Sequence, residues 1–358
     1  MVPTALYKYL PSAKRYLTSF ICRAVEGDYK LTKEDVEGNL VLIHKKGYAT
    51  DPANYRPIAL LNVDYKLLTK TVLELRRDAI PPTLIPKQQL ARSNVSGTLH
   101  GLLIDKAATR GANLRGREHH TAWHDFSKAF DSISHEILRQ LIAALPIPKA
   151  TKSMLKNGMG QWNLTIPSLD GVNIKVQRGI FQGDSMSPFL FVVATAGILR
   201  KIERDPNLNS ATKGSHTVIA HMDDLKCHGP SRRSIEIMSG IISEFSKQMG
   251  LHLNNAKCGY YSSNSGDNDD TAGWVPPELT GSYKYLGIEQ LEQDVEANYD
   301  IIKNKVEERT KSILESRLTS YQKRTLFNTS VIPAATYVLG QICPGDKFQT
   351  TLLRARQL

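Results

Sequence analysis

Cysteine is scarce in this chain: four in 358 residues, Cys22, Cys227, Cys258 and Cys343, with no C-x-x-C pair. That excludes a zinc knuckle or a secreted disulfide framework and fits a reducing compartment. Long apolar runs are missing too. The longest, Pro188 to Leu199, is too short to span a bilayer and ends at Arg200-Lys201. The first residues lack the charged-then-apolar pattern of a secretion signal, so the chain reads as soluble and intracellular, nuclear or cytoplasmic. No basic amphipathic helix with aromatic anchors is present to hold a membrane surface, and no internal repeat occurs. Negative charge is the remaining shortage. Against 46 Lys and Arg stand 35 Asp and Glu, a formal charge of +11, which points to a polyanionic partner, nucleic acid before an anionic membrane surface. An apolar content of 41% with 23% charged residues is ordinary globular composition. The length suffices for roughly two or three subdomains.

Residues 1–38 read as helical and basic. Leu40 to His44 is a short β-type run stopping at Lys45-Lys46-Gly47, and Asp51 to Pro57 is a loop by its prolines. Helical periodicity runs from Tyr65 through Leu75 and again from Asn94 to Ala108, followed by a Gly/Arg-rich loop from Arg110 to Arg117. Thr121 to Asp125 is extended. Ile133, Ile137, Leu138, Leu141, Ile142 and Leu145 recur at helical spacing. Residues 163–176 read as a hairpin turning at Asp170-Gly171. Ser187-Pro188 reads as a helix start with a hydroxyl N-cap and proline at the first helical position. Ile235, Met238, Ile242, Phe245 and Met249 form a helix face stopped by Gly250. Residues 263–280, rich in Ser, Asn, Asp and Gly, should be a mobile loop. Tyr283 to Ile288 is β-like, and two long helical stretches follow, with Pro333 inside the second. Helices segregated to one face of an antiparallel sheet, an α+β fold, is the class this layout implies.

Two adjacent carboxylates stand in an apolar run at Ile219-Ala220-His221-Met222-Asp223-Asp224-Leu225. Adjacent like charges in a strand-like segment are costly unless something positive neutralises them. Hard carboxylate oxygens suit Mg²⁺. Asp125, at the end of another extended segment, offers a third carboxylate, enough for a two-metal phosphoryl-transfer site. The competing reading is a surface hairpin whose turn happens to be Asp-Asp. Asp131 reads as a cap for the helix starting near Ser132 or Ser134. Arg178 to Pro188 joins the hairpin to a helix through glycines that allow close backbone approach, and a helix N-terminus attracts phosphate; a plain strand-to-helix turn would look the same. Lys257 could donate a proton or stabilise charge on a leaving group, or stand solvated. His120 and His124 share a strand face but lie on the order of 13 Å apart, too far for one ion, and with His119 they make that strand polar for a buried one.

Taken in order, these segments resemble the reverse transcriptase domain of non-LTR (LINE-like) retroelements over residues 38–290. Asn54 to Leu61 resembles its first fingers block, Asp125-Phe126-Ser127-Lys128-Ala129-Phe130-Asp131 motif A, and Arg178 to Pro188 motif B. Met222-Asp223-Asp224 resembles motif C, Gly250 to Asn254 with Lys257 motif D, and Tyr285-Leu286-Gly287-Ile288 motif E, the primer grip. The resemblance implies a right-hand polymerase fold with fingers, antiparallel palm sheet and helical thumb. It divides the chain into a basic helical extension (1–37), fingers (38–118), palm (119–290, with a fingers insertion within it allowed) and a helical thumb (291–358) that need not be complete. It further implies two Mg²⁺ ions, with Mn²⁺ as a substitute, held by Asp125, Asp223 and Asp224. One would activate a primer 3′-hydroxyl and the other would steady the triphosphate. Phe130 takes the position of the steric gate that selects dNTPs; Phe126, Gln182 and Gly183 line the nucleotide pocket; Lys257 serves the leaving group; and Arg56 contacts template or triphosphate. The implied partners are an RNA template, a DNA or RNA primer and dNTPs, with no membrane; the oligomeric state is open.

The chain departs from that pattern in places. His221 replaces an aromatic or small residue before Met-Asp-Asp, and Gln88-Gln89-Leu90-Ala91 replaces Gln-x-Gly-Phe, so no residue is carried over there. No endonuclease, RNase H or Cys/His knuckle is recognisable, which implies one piece of a longer polyprotein or a truncated insertion. The leading expectation is an RNA-directed DNA polymerase. Its rivals are a catalytically dead nucleic-acid-binding remnant and an RNA-templated RNA polymerase, against which Phe130 argues.

Overall fold

The computed structural model describes residues 4–45, 47–76, 78–92, 96–212, 216–263, 273–279, 281–290 and 294–341. Among the described residues the strands are β1 (Glu37–His44), β2 (Tyr55–Leu61), β3 (His120–His124), β4 (Asn163–Ile166), β5 (Val172–Lys175), β6 (Thr217–His221), β7 (Asp224–Gly229), β8 (Gly259–Ser262), β9 (Tyr283–Tyr285) and β10 (Ile288–Gln290). They form a sheet ordered β2-β1-β4-β5, a second ordered β6-β7-β3-β8, and the β9-β10 hairpin.

Alternation along β3 and β7 decides what each face of the second sheet meets. Ala122, Leu225, Cys227 and Tyr260 enter the main core with Phe191, Ile198, Ile235, Met238 and Ile242. These last residues lie on the Ser187–Arg204 and Arg232–Gln248 helices. Trp123 and Tyr261 point the other way, into a smaller core with Leu102, Tyr285, Ile288, Ile302, Val306, Val331 and Ala335. The Gly97–Leu114 helix, the β9-β10 hairpin and the helices from Asp294 onward supply that cover. The sheet is antiparallel throughout, as an α+β palm requires.

The structure also corrects local expectations. Pro57 lies inside β2 rather than a loop; β2 pairs only with β1 and is an edge strand, where a missing N–H costs no ladder bond. The hairpin at Asp170-Gly171 forms, with both residues at positive φ (48° and 73°). It joins the first sheet, where β4 runs parallel to β1 with Gly38 beside Leu164. The helix after Ser96 continues to Leu114, so Arg110 and Gly111 are helical. The Ser187–Arg204 helix starts a residue early: Met186 is its N-cap, Ser187 makes no cap bond, and the Asp184 carboxylate accepts the Met186 N–H at 3.2 Å. Asp131 caps nothing; it lies within the Ala129–Ser132 turn and accepts a hydrogen bond from Gln182 at 3.2 Å. The Lys149–Gln161 helix was not anticipated. Of the expected mobile loop, residues 264–272 lie outside the described residues, while Pro277 and Leu279 run beside β8, exchanging backbone bonds with Tyr260 at 2.8 and 2.9 Å. Pro333 opens the Ile332–Leu339 helix after a π-helical turn at Phe327–Val331. Among the described residues no helix is long and apolar enough to cross a membrane.

Candidate active site

β6 and β7 are joined by Met222-Asp223 alone, with His221 paired to Asp224. A two-residue hairpin turn usually places glycine where φ is positive; here Met222 holds φ 57°, a left-handed conformation that costs a non-glycine residue about 1–3 kcal/mol. The surface-hairpin reading has the hairpin but not its turn: the turn residues are Met222 and Asp223, and Asp224 already belongs to β7. In the antiparallel ladder His124 faces Leu225, so one step further the register sets Asp125 across from Asp224. Cross-strand neighbours stand about 4.5–5.5 Å apart. Three carboxylates thus converge at one end of the palm sheet, from a strand end and from the hairpin turn.

Their ionisation reflects that crowding. Burial pushes Asp224 up to about 6, and repulsion from Asp223 and Asp125 adds to it while Lys257 opposes. Burial also raises Asp223, again with repulsion from Asp125. Lys257 is brought in by a short pairing of 252–254 with 125–127: Ser127 N–H donates to His252 O and Asn254 N–H to Asp125 O, both at 2.8 Å. The lysine Nζ then reaches Asp125 Oδ2 at 3.3 Å while remaining largely exposed. One exposed ammonium is little compensation for three carboxylates. Apart from that ion pair, Asp125 Oδ2 is buried without a hydrogen-bond partner. Among the described residues no three His, Cys, Asp or Glu side chains are already drawn together tightly enough to hold a metal ion. The donor chemistry nonetheless fits a hard divalent cation: carboxylate oxygens only, under-neutralised, at an open strand end.

The 179–184 loop runs beside the segment that follows Asp125: Ile180 N–H donates to Phe130 O at 2.7 Å and Gly179 N–H to Ile133 O at 2.8 Å. Phe130 is partly buried and lies flat on Phe191, ring centroids 4.9 Å apart at 12°, so its ring is braced by the Ser187–Arg204 helix. Gly183 is exposed at φ 131°; a Cβ there would stand 2.6 Å from Ala59 O. Ala59 N–H in turn donates to Gln182 O at 3.0 Å, which locks the loop to β2 of the fingers sheet. The Gln182 amide is spent on Asp131, whose carboxyl is raised by burial. Arg56 is exposed on the same strand as Ala59. Phe126 is 4% exposed and belongs to the main core. The structure therefore brings together Asp125, Asp223, Asp224 and Lys257, groups Phe130, Gln182 and Gly183 around one loop, and leaves Arg56 on the fingers sheet.

Sequence reasoning missed a polar cluster under the β9-β10 hairpin. Asp105, from the Gly97–Leu114 helix, is 4% exposed and pairs with Lys226 and with His228 Nε2, the latter at 3.0 Å. Gln290 of β10 accepts from Lys226 at 2.6 Å and from the Trp123 indole at 3.3 Å. Lys226 lies 4.6 Å over the Trp123 ring, and Tyr283 stacks on the same ring at 4.9 Å. Burial works against the Asp105 charge, but the His228 hydrogen bond and Lys226 outweigh it and hold the carboxyl well below its usual range. Lys226 is brought down to about 8 by burial, against the pull of Asp105. Both charges stand at neutral pH. The histidines of β3, expected to sit badly in a buried strand, find partners: His120 meets the Tyr260 hydroxyl at 2.7 Å and His124 the Ser239 hydroxyl at 3.0 Å.

A palm sheet backed by helices, an acidic hairpin turn at its end, a separate fingers sheet and a helical cover define a right-hand polymerase. The model of the reverse transcriptase (RNA-dependent DNA polymerase) family matches residues 43–290. The chain belongs to that family, as a reverse transcriptase domain of the non-LTR retroelement kind. It is 27% identical over 222 residues to an R2 Pol polyprotein of Popillia japonica, covering 60% of this chain and 30% of that one. To the R2DM Pol polyprotein of Drosophila melanogaster it is 27% identical over 222 residues, covering 61% and 20%. The chain thus spans less than a third of these relatives. The apo telomerase of Candida tropicalis shares the fold at TM-score 0.55 and 12% identity, over 96% of this chain and 66% of that one. Its form truncated from the C-terminal domain does so at 0.52 and 14%, over 78% and 58%.

Proposed function

We propose that this chain is an RNA-directed DNA polymerase that adds dNTPs to a primer 3′-hydroxyl on an RNA template, with Asp125, Asp223 and Asp224 as ligands for two Mg²⁺ ions. The observation that carries the reading is the convergence of three under-neutralised carboxylates at the end of the palm sheet. Bound there, divalent cations supply charge neutralisation for the attacking and leaving oxygens of an in-line displacement. The chain's own part is positional. The turn presents Asp223 and Asp224 opposite Asp125. Lys257, exposed and 3.3 Å from Asp125, stands free to place a proton or positive charge on a departing pyrophosphate. Phe130, held flat on Phe191, presents a rigid edge to a ribose 2′-hydroxyl. Arg56 and the excess of basic residues meet phosphates without reading sequence.

The dNTP assignment is tested by primer extension on an RNA template with each nucleotide class. The parent should prefer dNTPs, and Phe130→Ala should gain rNTP incorporation by at least about tenfold, roughly 1.4 kcal/mol. Equal use of rNTPs by the parent would favour RNA synthesis instead.

The carboxylate titration gives a second test. Asp224 is raised on folding, so between about pH 4 and 6 the native state holds more protons than the unfolded one, and its contribution to stability falls as pH rises. Mg²⁺ should offset that loss. Its gain in Tm should be large at pH 7.5, small near pH 4.5, and absent in Asp224→Asn; an equal gain at both pH values would count against metal binding here.

A further inference from the structure

The catalytic hairpin is held from outside the palm. The segment Gln88–Leu90 runs along the free edge of β6, with Gln89 bridged in parallel to Ala220. Ala220 N–H donates to Gln88 O at 2.9 Å and Leu90 N–H to Ala220 O at 2.8 Å. That register aims the Gln89 side chain along the strand toward the turn. Its Oε1 accepts the Met222 N–H at 3.0 Å and the Ala91 N–H at 3.1 Å, and its Nε2 donates to Met222 O at 3.3 Å. The side chain is 1% exposed. One carboxamide therefore satisfies both backbone groups of Met222, the residue held at φ 57° immediately before Asp223. Gly97 closes the strap from behind, where a Cβ would stand 2.2 Å from Leu90 O and 3.1 Å from the His221 ring.

We propose that Gln89 is a positioning residue of the active site, whose amide clamps the Met222 peptide in its left-handed conformation and thereby sets Asp223 and Asp224 against Asp125. The inference rests on the reading of these aspartates as the metal-binding carboxylates. A leucine at this position would fill the space but offer no partner to the Met222 N–H or C=O; the turn would relax and the carboxylates would lose their register. A glutamate would keep the acceptor for the Met222 and Ala91 N–H groups, but would set its second oxygen against the Met222 C=O and bring a buried charge beside the turn. Supporting groups of this kind are worth about 10–100-fold in metal affinity or activity.

The test compares the parent with Gln89→Leu, Gln89→Glu and Asp224→Asn, all as the full chain. The Mg²⁺ concentration for half-maximal Tm gain is read by thermal melting, and kcat and KM for dNTP per active molecule by primer extension. Expected is a 10–100-fold fall in kcat and a matching rise in the Mg²⁺ requirement for Gln89→Leu, with KM within twofold and Gln89→Glu intermediate. A Gln89→Leu protein that retains the parent's kcat per active molecule and Mg²⁺ midpoint, or differs only in metal-free Tm, would overturn the proposal. If the parent makes no DNA, the Mg²⁺ midpoints still decide it: a shift in Gln89→Leu supports the clamp, and no shift refutes it. Failure of the polymerase reading would appear separately, as a parent without Mg²⁺-dependent extension.

Discussion

Asp224→Asn is expected to lower RNA-templated dNTP incorporation on the order of 10³-fold, about 4 kcal/mol, while template–primer binding stays within about twofold. Asparagine preserves the shape of the side chain and removes its charge. Affinity for template–primer comes mainly from phosphate contacts spread over the basic surface and should not notice. The same substitution should raise the Tm of the metal-free protein at pH 7.5, because burial and the neighbouring Asp223 and Asp125 all disfavour the Asp224 charge. Higher stability with lost activity marks a site strained for function. Single-turnover incorporation, filter binding and a melt without divalent metal together check it. A variant that loses stability and activity in proportion would identify Asp224 as structural.

Asp105→Asn carries the largest expected stability effect, a loss of about 3–5 kcal/mol at pH 7. The substitution leaves Lys226 buried without a counter-ion and deprives His228 Nε2 of its charged acceptor. Lys226 is lowered to about 8 by burial even with Asp105 present, and lower still without it. A lysine whose folded value lies below its unfolded one costs most where its charge must be kept in the folded chain, so the deficit against the parent should narrow as pH rises through about 8, where the parent's own Lys226 gives up its proton. Denaturant unfolding at pH 7 and about pH 9.5 measures both. Gln290 and Trp123 belong to the same network, so the β9-β10 hairpin should loosen as well, visible as faster proteolysis near Tyr283. A loss under about 1 kcal/mol would mean that the pair contributes little to docking this hairpin.

The course of the chain was legible wherever local chemistry spoke without help. Asp170-Gly171 demanded a turn of positive φ, and Gly250, at φ 79°, ended its helix as expected. The acidic run at 223–224 announced itself because charge in an apolar strand needs a reason. Tertiary context hid the rest. Pro57 looked like a loop residue because nothing local says that β2 is an edge strand. Asp131 looked like a cap because Gln182, its partner, lies 51 positions away. Gln89 was set aside because the familiar residues around it were missing, yet its contact is with the backbone of Met222, 133 positions on, and a backbone partner leaves no trace in sequence. Asp105 and Lys226 did leave one: Asp105 ends the apolar run Leu102-Leu103-Ile104, and Lys226 stands between Leu225 and Cys227. Two such misfits of opposite sign were a signal for a buried pair.

The central claim is that this chain polymerises DNA on RNA through a metal-dependent carboxylate site, and primer extension by the unaltered protein tests it most directly. The purified chain is incubated with an RNA template, an annealed primer and dNTPs, in Mg²⁺ and in EDTA. The account predicts template-directed DNA product in Mg²⁺ and none in EDTA. Template–primer bound tightly with no product in either would contradict it, and would leave a basic reverse transcriptase fold that only holds nucleic acid.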